Sequence, residues 1–322
     1  MFTGKDDILM FSSNEIDQLE IEKEILLPVI RANNCSKYFC SPSENFVIYP
    51  YKYEKGKTVV LSPIELREKY PKAYSYLLKN RIELGKRKDS RKTFADREDW
   101  YSLTRFGQKN VFEKIKIVSP GEVKEHKFCI DYSNAGFSCA RVFAITIDDE
   151  LFDIKYVLSL LNSNLIKSFL QSFASLKSGG YYSYSSNILN KAPIKAISKV
   201  AQQPFIEKAD LMLSLNKALQ TEKSNFLKTL QEEKGIEKIT KKLDAFYELE
   251  YDDFKKELRK KKVKISLGNE NNEWREYFNT TKQKVNEIQH QINQTDKEID
   301  KMVYELYELT AEEIEIVENS VK

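Results

Sequence analysis

In a chain of 322 residues there are two histidines, four cysteines and ten glycines, and each scarcity removes a class of function. His126 and His290 offer too little for a triad hydrolase, because no serine or cysteine stands in a recognisable nucleophile context. Cys35, Cys40, Cys129 and Cys139 form no Cys-x-x-Cys pair, so even with His126 the tight clustering of a structural zinc site is missing. Reduced thiols are the expectation, as in cytosolic proteins. Only Gly179 and Gly180 lie close together, and they follow a helical pattern instead of joining a strand to a helix, so no nucleotide-binding loop is apparent. A metal-dependent nuclease would show an Asp followed by Glu-x-Lys on a buried strand. Glu20-Ile21-Glu22 runs on to Lys23 in charged sequence, and Glu248, Glu250, Asp252 and Asp253 read as helical. No apolar run reaches the ~20 residues of a membrane helix and no basic-then-apolar leader opens the chain, so a cytoplasmic protein without a membrane partner is expected. No catalytic or metal-binding residue is assigned, and no cofactor is expected in this chain.

What is present is 41% hydrophobic and 31% charged, the balance of a soluble core with long exposed helices. Residues 1–199 mix short strand-like runs (Asn45 to Tyr51, Thr58 to Leu61, Ile115 to Val118, Phe128 to Tyr132, Ala140 to Ile147) with helices such as Pro71 to Leu84 and Ile154 to Ser175. Ala192-Pro193 and Gln203-Pro204 bracket a hinge, and from 200 to 322 the pattern is helical only: Phe205 to Gln231, about Ile236 to Lys262, and Glu273 to Val317. The fold class is therefore α+β, a mixed-sheet domain followed by an all-helical, coiled-coil-like tail. In the last helix Val285, Ile288, Ile292, Thr295, Ile299, Met302, Leu306 and Leu309 alternate by three and four residues, a heptad seam that Thr295 weakens locally. Its partner is either Phe205 to Leu230, through Met212, Leu215, Leu219, Phe226 and Leu227, or a second chain in self-association.

Net charge is only +3, yet residues 79–127 hold 14 Lys/Arg against 8 Asp/Glu. Inside that segment Lys86-Arg87-Lys88 and Arg91-Lys92 read as an exposed loop, followed by Trp100-Tyr101 and Arg105. Basic residues interleaved with aromatics suit a surface that tracks phosphates and reaches into a groove. A solvated helix face is the competing reading. A second basic run, Lys255 to Lys264 beside Glu248, Glu250, Asp252 and Asp253, reads as solvated. The stretch Tyr156 to Ile194 carries an apolar helix interrupted by Asn162-Ser163-Asn164, then Gly179-Gly180 and the rings and hydroxyls of Tyr181, Tyr182, Ser183, Tyr184, Ser185 and Ser186. Such groups stack on bases or donate to phosphates, although composition alone also allows an ordinary turn and edge strand.

Leu161-Asn162-Ser163-Asn164-Leu165, the run to Gly180, the tyrosine pair and Ala192-Pro193-Ile194 resemble the end of the target recognition domain of TaqI-like adenine-N6 DNA methyltransferases and fused type IIG restriction enzymes. Other blocks follow in the family's order: Thr3-Gly4-Lys5 with Phe11, Leu26 to Arg31 with Tyr38, Ile48-Tyr49-Pro50-Tyr51, Tyr70-Pro71 with Tyr76-Leu77, Trp100-Tyr101 and Lys116 to Pro120. Glu273-Trp274, Tyr277-Phe278, Glu298-Ile299-Asp300 and Val303 to Thr310 resemble the helical tail of the same enzymes. The catalytic half of that family needs an Asn/Asp-Pro-Pro-aromatic motif to hold the flipped adenine, and no Pro-Pro occurs here. The resemblance thus implies a non-enzymatic DNA specificity module. Its partners would be double-stranded DNA and an adenine-N6 methyltransferase, with or without nuclease, as a linked domain or a separate subunit. S-adenosylmethionine and Mg2+ would belong to that partner. The expected phosphate contacts are Lys86, Arg87, Lys88, Arg91 and Lys92. The expected base or groove contacts are Arg31, Asn33, Asn34, Trp100, Tyr101, Arg105, Tyr181, Tyr182, Tyr184 and Ser185, with Gly179 and Gly180 shaping the loop. A coiled-coil interaction module without DNA specificity is the alternative.

Overall fold

A computed structural model describes residues 1–89, 92–138, 141–266 and 268–321. The chain divides into two compact units, Met1–Gln202 with Ala311–Lys322, and Gln203–Thr310. The first is α+β. Its largest sheet has four strands in the order Met10–Ser12, Asn45–Ile48, Leu26–Ile30 and Gly136–Phe137, antiparallel except for the last pair. A three-stranded antiparallel sheet centres on Lys116–Pro120, flanked by Cys129–Asp131 and Val142–Ile145. All five residues of that central strand are buried. This requires Lys116 to be neutralised, and its Nζ meets Asp131 Oδ2 at 2.5 Å and the Phe112 carbonyl at 2.9 Å.

The expected Ile154 to Ser175 helix is two helices, Ile154–Leu161 and Asn164–Phe173. The polar trio that reads as a notch is the break. Ser163 caps the second helix by accepting from Ile166 N (3.3 Å), while the Asn162 amide accepts from Phe128 N (3.2 Å) and donates to Phe128 O (2.9 Å). Gln203-Pro204, expected to close one side of a hinge, lies inside a single helix that runs from Lys199 to Lys234. Gln202 is fully buried near its start, accepting from Asp153 N and donating to the carbonyls of Leu151 and Ile197. The helix absorbs Pro204 close to its N-terminus at the loss of one backbone donor.

In the second unit the seam is filled within the chain. Lys208 pairs with Glu298, Glu222 with Lys284 and Lys234 with Glu270, one number rising as the other falls, so the long helices run antiparallel. Val285, Ile292, Thr295, Ile299 and Val303 are buried, the Thr295 hydroxyl donating to the Gln291 carbonyl (2.8 Å). Phe226 stacks on Phe246 with centroids 3.9 Å apart, and Phe254 and Phe278 complete an aromatic core. The expected Glu273 to Val317 helix ends at Leu306. Glu308 takes a left-handed conformation (φ 58°), and a separate helix, Ala311–Ser320, belongs to the first unit. There Ser320 Oγ bonds Ser168 Oγ (2.7 Å) and the Val321 carbonyl accepts from Lys167 Nζ (3.3 Å).

Candidate nucleic-acid interface

The basic segment of the first unit separates into scaffold and surface. Lys88–Asp89 and Lys92–Thr93 form a small hairpin on which Lys88 and Lys92 are exposed and make no ion pair among the described residues. Lys86 is also exposed, paired with Glu83 at 2.5 Å. Arg87 is the exception, being only 6% exposed. Its guanidinium donates to the carbonyls of Leu84 (2.9 Å), Thr3 (2.8 Å) and Trp100 (2.6 Å) and lies 4.5 Å from the centre of the Phe94 ring. Burial lowers its pKa to about 10, which leaves it cationic at neutral pH. The expected phosphate contact is therefore a tie between the basic hairpin and the N-terminal residues. Arg91 lies outside the described residues.

Trp100 and Tyr101 are core residues, 4% and 0% exposed, and not groove contacts in this structure. The Tyr101 hydroxyl donates to the Leu61 carbonyl (2.5 Å), and Trp100 lies beneath the Arg81 guanidinium. Asn34 is likewise internal. Its Oδ1 accepts from Arg31 N (2.9 Å) and its Nδ2 donates to Ser41 Oγ and Pro42 O (both 3.1 Å). This closes the loop that presents its neighbours Arg31 and Asn33, both exposed.

Those two side chains line a cleft of about 540 Å³ with Phe2, Asp6, Met10 and Arg141. Arg31 Nη2 lies 3.8 Å from the Met10 sulfur, and among the described residues neither Arg31 nor Arg141 makes an ion pair. Arg105 is exposed beside the cleft, because Phe2 and Arg105 exchange backbone hydrogen bonds of 2.5 and 3.0 Å. Thr3, which accepts from Arg87, also lines this cleft, so the basic hairpin is tied to its wall.

The third element is the glycine-tyrosine segment, a hairpin of Ser175–Lys177 and Tyr181–Ser183 that pairs with Glu122–Val123. Gly179 and Gly180 both adopt positive φ, 79° and 76°, the conformation glycine tolerates at a reversal. Tyr181 is 42% exposed with Lys124 Nζ 5.0 Å from its ring centre, and Tyr182 is half-buried. Ser185 is exposed. Tyr184 is buried and unavailable to a groove, its hydroxyl 2.6 Å from His126 Nε2. His126 Nδ1 faces the Leu161 carbonyl at 2.7 Å, which only accepts, so the proton is assigned to Nδ1 and Tyr184 donates to Nε2. Burial depresses the His126 pKa to about 3, keeping the ring neutral. Tyr184 thus anchors the hairpin instead of contacting a ligand.

Two backbone bonds link hairpin and cleft: Gly121 N donates to Arg141 O, and Tyr184 N donates to Gly121 O, both 2.8 Å. The three elements therefore adjoin in one region. Sequence reasoning missed Arg141, Lys124, exposed Leu176, and Phe173 with Lys191 over its ring. The pairing of Glu122–Val123 with Tyr182–Ser183 sets Lys124 beside Tyr181, and the pairing of Pro120 with Val142 carries Arg141 to the cleft, contacts that no local run of sequence marks.

Cys35 and Cys40 face each other across a short hairpin, and hydrogen bonding with them together with burial raises the Cys129 thiol well above its ordinary value. Cys139 lies outside the described residues.

Residues 27–194 match the family model described as the TaqI-like C-terminal specificity domain. Residues 198–303 match a second model, described as a domain of unknown function. Among curated proteins, the Type II restriction enzyme and methyltransferase RM.Eco57I of Escherichia coli is 24% identical over 203 residues, covering 57% of this chain. The match spans 20% of that relative's length.

Proposed function

The chain belongs to the TaqI-like C-terminal specificity domain family, and from that premise we infer that it is the DNA sequence-recognition module of a restriction-modification system. The observation that carries this reading is the coincidence of the family match with the region where exposed cations that make no ion pair among the described residues converge. Lys88, Lys92, Arg31, Arg105 and Arg141 adjoin there, whereas elsewhere many cations are spent in ion pairs. Lys86, Lys88 and Lys92 contact phosphates without regard to sequence. Arg31, Asn33, Arg105 and the Tyr181 hairpin meet the grooves, where side chains distinguish base pairs.

In this account the module directs an adenine-N6 methyltransferase, with or without nuclease, either as a domain of one longer chain or as a separate subunit. S-adenosylmethionine, and Mg2+ where cleavage occurs, belong to that catalytic partner. Base flipping and methyl transfer take place there. The module supplies register and sequence choice.

The test is duplex binding by fluorescence anisotropy across a salt series, comparing wild type with Lys86→Ala/Lys88→Ala/Lys92→Ala. Loss of three phosphate contacts lowers the log–log salt slope by about 2.7 in magnitude. Equal, salt-insensitive binding by both proteins refutes the assignment.

A further inference from the structure

The cleft beside the N-terminus is complementary in its donors and acceptor to one particular base pair. Its rim carries two guanidiniums, Arg31 and Arg141, and one carboxylate, Asp6. Neither arginine is committed to a carboxylate among the described residues. Asp6 is exposed and among the described residues receives one side-chain hydrogen bond, at Oδ1 from Thr3, so its Oδ2 can accept another. In the major groove a G·C pair presents two adjacent acceptors, guanine O6 and N7, and one donor, the cytosine N4 amine. An A·T pair interposes a donor between acceptors and adds a methyl group.

We propose that this cleft is a base-reading site for a G·C pair in the recognised sequence, with an arginine at guanine and Asp6 accepting from the cytosine amine. This rests on the reading of the chain as a DNA-recognition module and goes beyond it by assigning a base pair to a place. The frame of the site is stiff. Asn34 holds the loop before the cleft, and the Arg141 carbonyl is tied to Gly121, whose added Cβ would meet the Phe143 ring at 3.0 Å. Stiffness matters because bidentate recognition tolerates little misplacement. Phe2, 59% exposed at the same rim, adds an apolar contact to the neighbouring step.

The experiment is selection of a random-sequence duplex library by the full chain, repeated with Arg31→Ala, Arg141→Ala, Arg31→Lys, Arg141→Lys and Asp6→Asn. All three positions are exposed, and thermal melts verify folding. The wild type is expected to enrich a motif containing a G·C pair that relaxes in at least one arginine variant. Affinity for the enriched duplex then falls about 5- to 150-fold. The matching lysine variant keeps the charge and the salt slope but also relaxes that position, because a point charge does not reproduce the fork. Asp6→Asn weakens discrimination at the same pair. If the wild type enriches a motif that every variant retains unchanged, the cleft assignment is overturned while the recognition reading stands. If the wild type enriches no motif, the recognition reading fails and the assignment falls with it.

Discussion

Replacing Arg87 with alanine separates the two roles this residue has been given, phosphate contact and internal tie. Its guanidinium donates to three backbone carbonyls from three separate stretches, Leu84, Thr3 and Trp100, and lies over Phe94. Each lost hydrogen bond is worth about 1 kcal/mol net, and the ring contact about 0.5–1 kcal/mol, so the loss is about 3–4 kcal/mol. That is a large share of the roughly 5–15 kcal/mol that holds a domain together. The assay is urea unfolding followed by tryptophan fluorescence in a Trp274→Phe background, which leaves Trp100 in the first unit as the sole reporter. Because the Trp100 carbonyl accepts from Arg87, the probe sits at the perturbed contact. The salt slope of DNA binding by the folded variant stays within error of wild type. A stability change under 0.5 kcal/mol together with a slope reduced by about 0.9 would refute the reasoning and restore Arg87 to the phosphate surface.

The buried neutral His126 predicts acid sensitivity. With a folded pKa near 3 against an ordinary 6.5, the unfolded chain binds the proton first, so this stability is present above pH 6.5 and is lost as pH falls toward 3. About 2 kcal/mol disappears between pH 7 and pH 5, a slope that His126→Gln flattens in denaturation curves. Lys116→Ala strands the buried Asp131 carboxylate, which keeps donors from Ser133 and Ala135, and costs about 3 kcal/mol by thermal or chemical unfolding. Tyr184→Phe removes the bond to His126, and proteolysis within Ser175–Ser183 should quicken while Lys88-dependent salt sensitivity is unchanged.

The division into a mixed α+β region and a helical region was legible because period-2 and heptad patterns are local. So was the seam, since Val285, Ile292 and Ile299 repeat at coiled-coil spacing whatever covers them; only the structure places its partner within the same chain. The return of Ala311–Ser320 to the first unit was invisible, as it depends on Glu308 turning left-handed and on Lys167 meeting the Val321 carbonyl. At the candidate site, exposure decided the outcome. Lys86, Lys88, Arg87, Trp100 and Tyr101 look alike as a basic and aromatic run. The last three turn inward because the Leu84, Thr3 and Leu61 carbonyls need donors and the aromatic rings fill the core. Arg141 had no neighbours in sequence to mark it, and only the strand pairing at Lys116–Pro120 carries it to the cleft.

The central claim is that this chain by itself distinguishes one DNA sequence from another. The direct measurement is competition at about 0.15 M salt between a duplex enriched by the 322-residue chain and a scrambled duplex of identical composition and length. With each mismatched pair costing about 1–3 kcal/mol, the enriched duplex should compete at least about 100-fold better. Equal competition by the two duplexes would contradict the account.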